Sequence, residues 1–283
     1  MFTLRFCVIG GGSMGHRRIR DLLSLGYKDI IGYDIREDRR KEATEKFGIL
    51  TYGDKIPLDV DAFIISTSPQ EHYLYAEMAI KHKIPWFMEA NCIPHPFKLK
   101  NGYISASLRF SPLINWVKDQ KIEGIKEIRW ECRQDIRLWH PNENIKDFYV
   151  GQGDTALREM ICYEFQAISY IWGMPTITES KIQKLGDTDV EKDDAIIKFK
   201  TPKGISGILH VDLISPTLIR RMQLVQEDRT LDWRIITQGR LMEKAYRREI
   251  ETFINALKGK AKYPYTIQED RTILEMVAKI FKN

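Results

Sequence analysis

A glycine cluster set between two kinds of apolar pattern constrains this chain more than any other feature. Leu4 to Ile9 (LRFCVI) is a short, largely apolar run with β-branched and aromatic members, the pattern of a strand buried on both faces. Gly10-Gly11-Gly12 ends it, and beyond Met14 the apolar residues Ile19, Leu22 and Leu23 fall at helical spacing until Gly26. The turn between them reads Gly10-x-Gly12-x-x-Gly15. A lone G-x-G-x-x-G says little, but between a strand and a helix it is the fingerprint of a dinucleotide-binding turn. The first glycine permits the tight turn, the second lets pyrophosphate approach the backbone, and the third lets helix and strand pack closely. The helix start offers unpaired N–H groups and the positive end of its dipole. Ser13 and Met14, inside the turn, join Gly10, Gly12 and Gly15 as candidate cofactor contacts.

A second strand, Ile30 to Tyr33, ends at Asp34, 34 − 10 = 24 residues past the first glycine, where a ribose-binding carboxylate belongs. Such an acid accepts from both adenosine ribose hydroxyls and repels a 2′-phosphate, which favours NAD over NADP. Arg36, itself a candidate cofactor contact, with Arg39 and Arg40, follows at once and could reverse that preference, and Asp34 could instead cap a helix starting near Glu37. A third buried strand, Asp61 to Ile65, leads into Ser66-Thr67-Ser68-Pro69 and a helix from about Gln70 to His82; Pro85 to Met88 forms a fourth, ending at Glu89. Repeated βα units predict a doubly wound parallel sheet, with ligands at the carboxyl ends of its strands, so Ser66, Thr67, Pro69 and Glu89 are candidate cofactor contacts.

At ~150 residues per domain, 283 residues make about two domains. The charge, 44 − 39 = +5, is too small and too scattered to require nucleic acid. Cys7, Cys92, Cys132 and Cys162 stand far apart, mostly in apolar runs, as buried thiols of a reducing compartment do. No apolar stretch approaches ~18 residues, and the N-terminus lacks the layout of a signal peptide, so a cytoplasmic protein with no membrane partner is expected. No Cys, His or carboxylate cluster has metal-ligand spacing.

Beyond residue 122 the patterns change. Ile128, Trp130, Cys132, Gln134 and Ile136 alternate with charged residues, the period of a strand with one wet face, and Ile205 to Ile214 alternates less cleanly. Met222 to Val225 and Leu231 to Ile236 read as shorter strands. Asp154 to Trp172 carries Leu157, Ile161, Phe165, Ile168 and Trp172 at helical spacing before Gly173.

The opening CVIGGGSMGHRRIRDLLSLG, the block ISTSPQEHYLYAEMAIKHKIPWFMEAN, then GYISASLRFSPLINWVKD, WHPNENIKDFYVGQGD and AYRREIETFINALKGKAKYPYTIQED, in that order, resemble the Gfo/Idh/MocA oxidoreductases over essentially the whole chain. The resemblance implies a Rossmann domain over 1–121 and an α+β domain over 122–283 with an open, mainly antiparallel sheet. It also implies NAD (or NADP) as cofactor, with His72 near it, a small-molecule sugar substrate and a dimer or tetramer. By resemblance Trp139, His140, Tyr149 and Arg158 lie at the sugar, and aromatic faces with directional polar groups suit a carbohydrate.

The departures from the family fall on its chemistry. The lysine of the family's E-K-P motif is replaced in Glu89-Ala90-Asn91, and alanine can neither donate nor carry charge. Where the family carries a histidine on its long helix stands Tyr163, with Glu159 or Met160 where its acid would be. A tyrosine of pKa ~10 serves mainly as a proton donor unless a cation lowers it, so Tyr163 with Glu159, Arg158 or Lys98 is the candidate proton-transfer group. A buried core tyrosine is the alternative. Residues 90–101, with Pro94 and Pro96, predict an extended loop in place of the family's helix, and His95 within it is a turn residue or an exposed base. Two functions remain open on these residues: an oxidoreductase with atypical proton transfer, or a non-catalytic dinucleotide-binding relative acting as a structural or sensing partner.

Overall fold

The computed structural model describes residues 4–139, 155–235 and 239–282. The chain divides into two units, Met1–Ser107 with Lys244–Arg271, and Leu108–Glu243 with Thr272–Asn283.

In the first unit β1 (Phe6–Ile9), β2 (Ile30–Tyr33), β3 (Leu50–Tyr52), β4 (Ala62–Ile65), β5 (Trp86–Met88) and β6 (Gly102–Ile104) form one sheet in the order β3-β2-β1-β4-β5-β6. Every pairing is parallel. The helices α1 (Ser13–Ser24), α2 (Glu37–Phe47) and α3 (His72–His82) supply crossovers. β1 and β4 are buried at all four positions, as expected of strands covered on both faces. The order reverses between β1 and β4, which makes their carboxyl ends the switch point where doubly wound sheets bind ligands. Residues 89–101 contain no helix, in keeping with their two prolines.

The second unit contains α4 (Pro112–Gln120), β7 (Glu127–Arg133), α5 (Thr155–Trp172), β8 (Thr176–Gln183), β9 (Asp194–Lys200), β10 (Ser206–Asp212), β11 (Ile219–Val225) and β12 (Thr230–Arg234). Its sheet runs β12-β11-β7-β10-β9-β8, antiparallel except for β7 beside β10. Ile128, Trp130 and Cys132 are buried while Arg129 on the other face is exposed. The expected strand through Ile136 stops at Arg133, because the Asp135 carboxylate accepts from the Arg137 amide and starts a 3-10 turn over Ile136–Leu138. The strand expected over Leu231 to Ile236 is observed as Thr230–Arg234, and Ile236 lies outside the described residues.

Two C-terminal helices, α6 (Gly239–Leu257) and α7 (Ile267–Ile280), each begin in one unit and end in the other. A single boundary at 121/122 therefore differs from the observed division twice: α4 joins the second unit, and Lys244–Arg271 joins the first. The second difference has a clear cause, since Glu249 of α6 binds the Ala106 amide and the Arg18 guanidinium, both in the first unit.

Candidate functional site: the glycine turn and its neighbours

Gly10 leaves β1 at φ +98°, a conformation that favours glycine, and its amide donates to the Tyr33 carbonyl. A Cβ on Gly10 would lie 2.5 Å from the Ser66 carbonyl oxygen, and one on Gly15 would lie 1.8 Å from the Gly10 oxygen. These two glycines are needed for the turn itself. Gly12 differs: a Cβ there meets nothing nearer than the Arg39 guanidinium at 3.5 Å. α1 begins directly after Gly12, and no side chain caps it. An uncapped helix start beside backbone with an open face fits a pyrophosphate, the charge that such a terminus attracts.

Asp34 lies at the end of β2 beside this turn. Its Oδ2 accepts from the Gly11 amide at 2.6 Å and its Oδ1 from the Arg36 amide at 2.8 Å. The N-cap position of α2 is Arg36, so Asp34 supports the turn into the helix without being its cap residue. Arg36 is bound side-on to Asp38 and holds that exposed carboxyl down at about 2. Arg40 donates to the carbonyls of Asp34 and Ile35, and Arg39 comes within 3.9 Å of Asp34.

The ends of β4 and β5 share a buried polar network. His72 contacts the Thr67 carbonyl through Nε2 at 3.0 Å, and burial pushes its pKa down to about 4, so it is a neutral donor that fixes the Ser66-Thr67-Ser68-Pro69 turn. Asn91 holds the same turn from the other side by donating to the Pro69 carbonyl, while its Oδ1 accepts the Cys92 and Ile93 amides. Ser66 donates to Glu89. Both Glu89 oxygens also accept from Arg18, at 2.6 and 2.8 Å, and Arg18 reaches Glu249 at 2.9 Å. Glu249 accepts further from Ser105, the Ala106 amide and Tyr263. Burial pushes Glu249 above the usual carboxylate range, with Arg18 opposing and Glu89 adding to the shift.

Arg18, Glu249 and Ser105 were not among the sequence candidates. One signal was present: residues 14, 18 and 22 share a helix face, so Arg18 occupies an apolar-stripe position with no side exposed. His95 is neither the turn residue nor the exposed base that its place between two prolines suggests. Its side chain is buried, its Nε2 is 2.7 Å from Asp270, and Asp270 also accepts from Tyr265.

In the second unit α5 carries Arg158, Glu159 and Tyr163, all half-buried. The Arg220 guanidinium of β11 lies 5.8 Å from the Tyr163 ring centre. Arg220 also pairs with the fully buried Glu164 at 2.6 Å and donates to Cys132, while Glu164 accepts from the Trp130 indole. Tyr163 thus sits beside a cation anchored in the core. Arg158 stacks on Phe281, with 4.4 Å to the ring centre. Trp139 follows the short turn after β7 and is half-buried. His140 and Tyr149 lie outside the described residues.

One cluster among the described residues brings metal-type ligand atoms together: Asp194, His210 and Asp212. Those atoms already have partners. His210 binds Asp194, which also accepts from Gln183, and Asp212 accepts from Arg133, Ser215 and two backbone amides. The Arg133 guanidinium fills the cationic place in the cluster, which accounts for it as a structural ion-pair network.

Superposed on solved structures, the chain matches dehydrogenases over its full length. A myo-inositol dehydrogenase from Corynebacterium glutamicum is 14% identical, with TM-score 0.79 over 99% of this chain and 96% of that one. The fold is that of these dehydrogenases. GenD2 of gentamicin A biosynthesis, solved in complex with NAD, is 11% identical, with TM-score 0.80 over 100% and 94% of the two chains. The UDP-N-acetylglucosamine 3-dehydrogenase GnnA from Acidithiobacillus ferrooxidans is 16% identical, with TM-score 0.76 over 100% and 98%. No protein-family model matches the chain, and no curated protein matches it in sequence. No helix among the described residues is long and apolar enough to cross a membrane.

Proposed function

We propose that the chain is a nicotinamide-dinucleotide-dependent oxidoreductase of the Gfo/Idh/MocA type acting on a sugar or sugar derivative. The carrying observation is the glycine turn, closed to any side chain at Gly10 and Gly15 and open at Gly12, at the switch point of a doubly wound sheet. Structural neighbours named for myo-inositol and for UDP-N-acetylglucosamine support a ring secondary alcohol as the reacting group, and the neighbour solved with NAD supports that cofactor.

When bound, the dinucleotide supplies the hydride acceptor or donor. Gly10, Gly12, Ser13, Met14 and Gly15 hold its diphosphate and Asp34 its adenosine ribose, with Ser66, Thr67, Pro69 and His72 shaping the neighbouring turn. Glu89 serves that turn indirectly, through its bond to Ser66. With Ala90 unable to donate, the Tyr163 hydroxyl exchanges the substrate proton, assisted by Glu159. Arg220, 5.8 Å from the ring centre, packs beside that tyrosine. Trp139, Arg158, His140 and Tyr149 contact the sugar.

The four buried free thiols fit a reducing cytoplasm. The outward face of the second sheet serves a dimer or tetramer; light scattering that returns one protomer mass rejects this. A non-catalytic role has one observation in its favour, Ala90 at the lysine position. The decisive experiment follows absorbance of the reduced nicotinamide while the protein is offered inositols, free sugars and nucleotide-linked sugars. Turnover of any of them supports the enzyme; a sugar that binds without turnover, with dinucleotide bound, supports the non-catalytic relative.

A further inference from the structure

We propose that His95 and Asp270 form a clasp that positions the dinucleotide site: by anchoring the strap 89–101 they set Asn91, and through it the Ser66-Thr67-Ser68-Pro69 turn that backs on the glycine turn. The inference rests on the dinucleotide reading above and concerns two buried residues that act through others. All the residues involved belong to the first unit.

Residues 89–101 form neither helix nor strand, so their backbone groups need partners elsewhere. Asn91 Oδ1 accepts the Cys92 and Ile93 amides. The Tyr73 hydroxyl donates to the Ile93 carbonyl at 2.6 Å, Arg271 to that of Phe97 at 3.3 Å and the Trp86 indole to that of Lys100 at 3.0 Å. His95 is the peg of this strap. Proline on each side fixes φ and removes a backbone donor, so the imidazole is presented from a stiff segment. Its side chain and that of Asp270 are each 1% exposed, its Nε2 lies 2.7 Å from Asp270 Oδ2, and the Tyr265 hydroxyl donates to the other carboxylate oxygen at 2.9 Å. The anchor is rigid as well, because reciprocal Thr266–Glu269 bonds close the start of α7. His95 Nδ1 is buried without a hydrogen-bond partner among the described residues. An apolar side chain would avoid that cost, so the bond to Asp270 accounts for the imidazole.

From the clasp to the site the path is short. Asn91, itself buried, donates from Nδ2 to the Pro69 carbonyl at 3.1 Å. Pro69 closes the turn whose Ser66 carbonyl oxygen would stand 2.5 Å from a Cβ on Gly10. At that spacing the turn is a wall of the glycine cradle, and moving one moves the other. The start of α3 serves both parts: His72 holds the Thr67 carbonyl, and its neighbour Tyr73 holds the strap.

The test is calorimetric titration of the full chain with NAD⁺ for wild type, His95→Ala, Asn91→Ala, the double variant, and His95→Gln, whose carboxamide still reaches Asp270. His95→Ala should weaken NAD⁺ by roughly tenfold or more and His95→Gln by less than about threefold. The double variant should bind within about twofold of the weaker single variant, because both residues act along one path. Ile254→Val, a truncation in the buried core of the same unit, should lower the melting temperature and change NAD⁺ affinity less than about twofold. Normal binding by His95→Ala overturns the proposal. So do a double variant that multiplies the two single effects, a His95→Gln variant as weak as His95→Ala, and an Ile254→Val variant that weakens NAD⁺ as much. Should His95→Ala fail to fold, hydrogen exchange of wild type decides: saturating NAD⁺ must slow the strap's amides at least about fivefold by reciprocal linkage, and a smaller change overturns the proposal. If wild type binds no nicotinamide dinucleotide, the dinucleotide reading itself fails, an outcome distinct from all of these.

Discussion

Arg18→Met removes one buried cation from between two buried carboxylates. Arg18 is fully buried, donates twice to Glu89 and once to Glu249, and lies 4.9 Å from the centre of the Phe87 ring. Methionine keeps an unbranched apolar stem, so the loss is chiefly electrostatic. Breaking a buried ion pair from one side costs roughly 3–5 kcal/mol, because the partner is left charged and undersolvated. At ~2–4 °C per kcal/mol for a unit of this size, the melting temperature at pH 8 should fall by about 6–20 °C. The pH dependence carries more information. Burial holds Glu249 above its ordinary value and Arg18 opposes that shift, so the variant's Glu249 rises further. Between its ordinary value and the raised one, the folded variant binds more protons than the unfolded chain, and its stability falls as pH rises through that window. The deficit relative to wild type is therefore largest at pH 8 and narrows towards pH 5. Melting curves followed by circular dichroism at both pH values measure it. A deficit under ~1 kcal/mol, or one that widens on acidification, refutes the reasoning.

Two further outcomes follow from the site. Tyr163→Phe keeps the ring beside Arg220 but removes the hydroxyl, so turnover of any substrate found should fall by roughly 10²-fold or more with dinucleotide affinity unchanged; wild-type turnover places proton transfer elsewhere. His72, pushed down to about 4 by burial, leaves the unfolded chain binding more protons between pH 6.5 and 4, so its stability contribution is lost as pH falls through that window. His72→Gln, which can still donate to Thr67, should flatten the acid limb of the stability curve by up to ~3 kcal/mol; an unchanged limb shows that His72 does not titrate as described.

The elements legible in the sequence are those whose signal is local. Phe6–Ile9, the glycine turn and Ser13–Ser24 follow from a buried strand, residues without Cβ and a helical period, and each appears where the pattern puts it. β8 escaped notice because its residues are half-buried or exposed throughout, leaving no apolar alternation to read. The loss of Ile136 from its strand came from a side chain, Asp135, that competes locally for the backbone. Long-range pairs leave still less trace. Arg18 and Glu249 are 231 positions apart, and His95 and Asp270 are 175 apart, so their pairing emerges only from the folded chain. The same holds for Arg220, whose place beside Tyr163 depends on the register of β11 against β7.

The central claim is that the glycine turn receives a dinucleotide, and a thermal shift on wild type and Gly12→Val tests it most directly. A side chain at residue 12 has space in the free protein, with no atom nearer than 3.5 Å to its Cβ, so the variant should fold and melt close to wild type without ligand. At a dinucleotide concentration of ~100 times Kd, wild type should gain about 2.7 kcal/mol and melt several degrees higher, while Gly12→Val should not move. A wild-type curve unmoved by every nicotinamide dinucleotide, oxidised or reduced, or a shift that persists in Gly12→Val, contradicts the account.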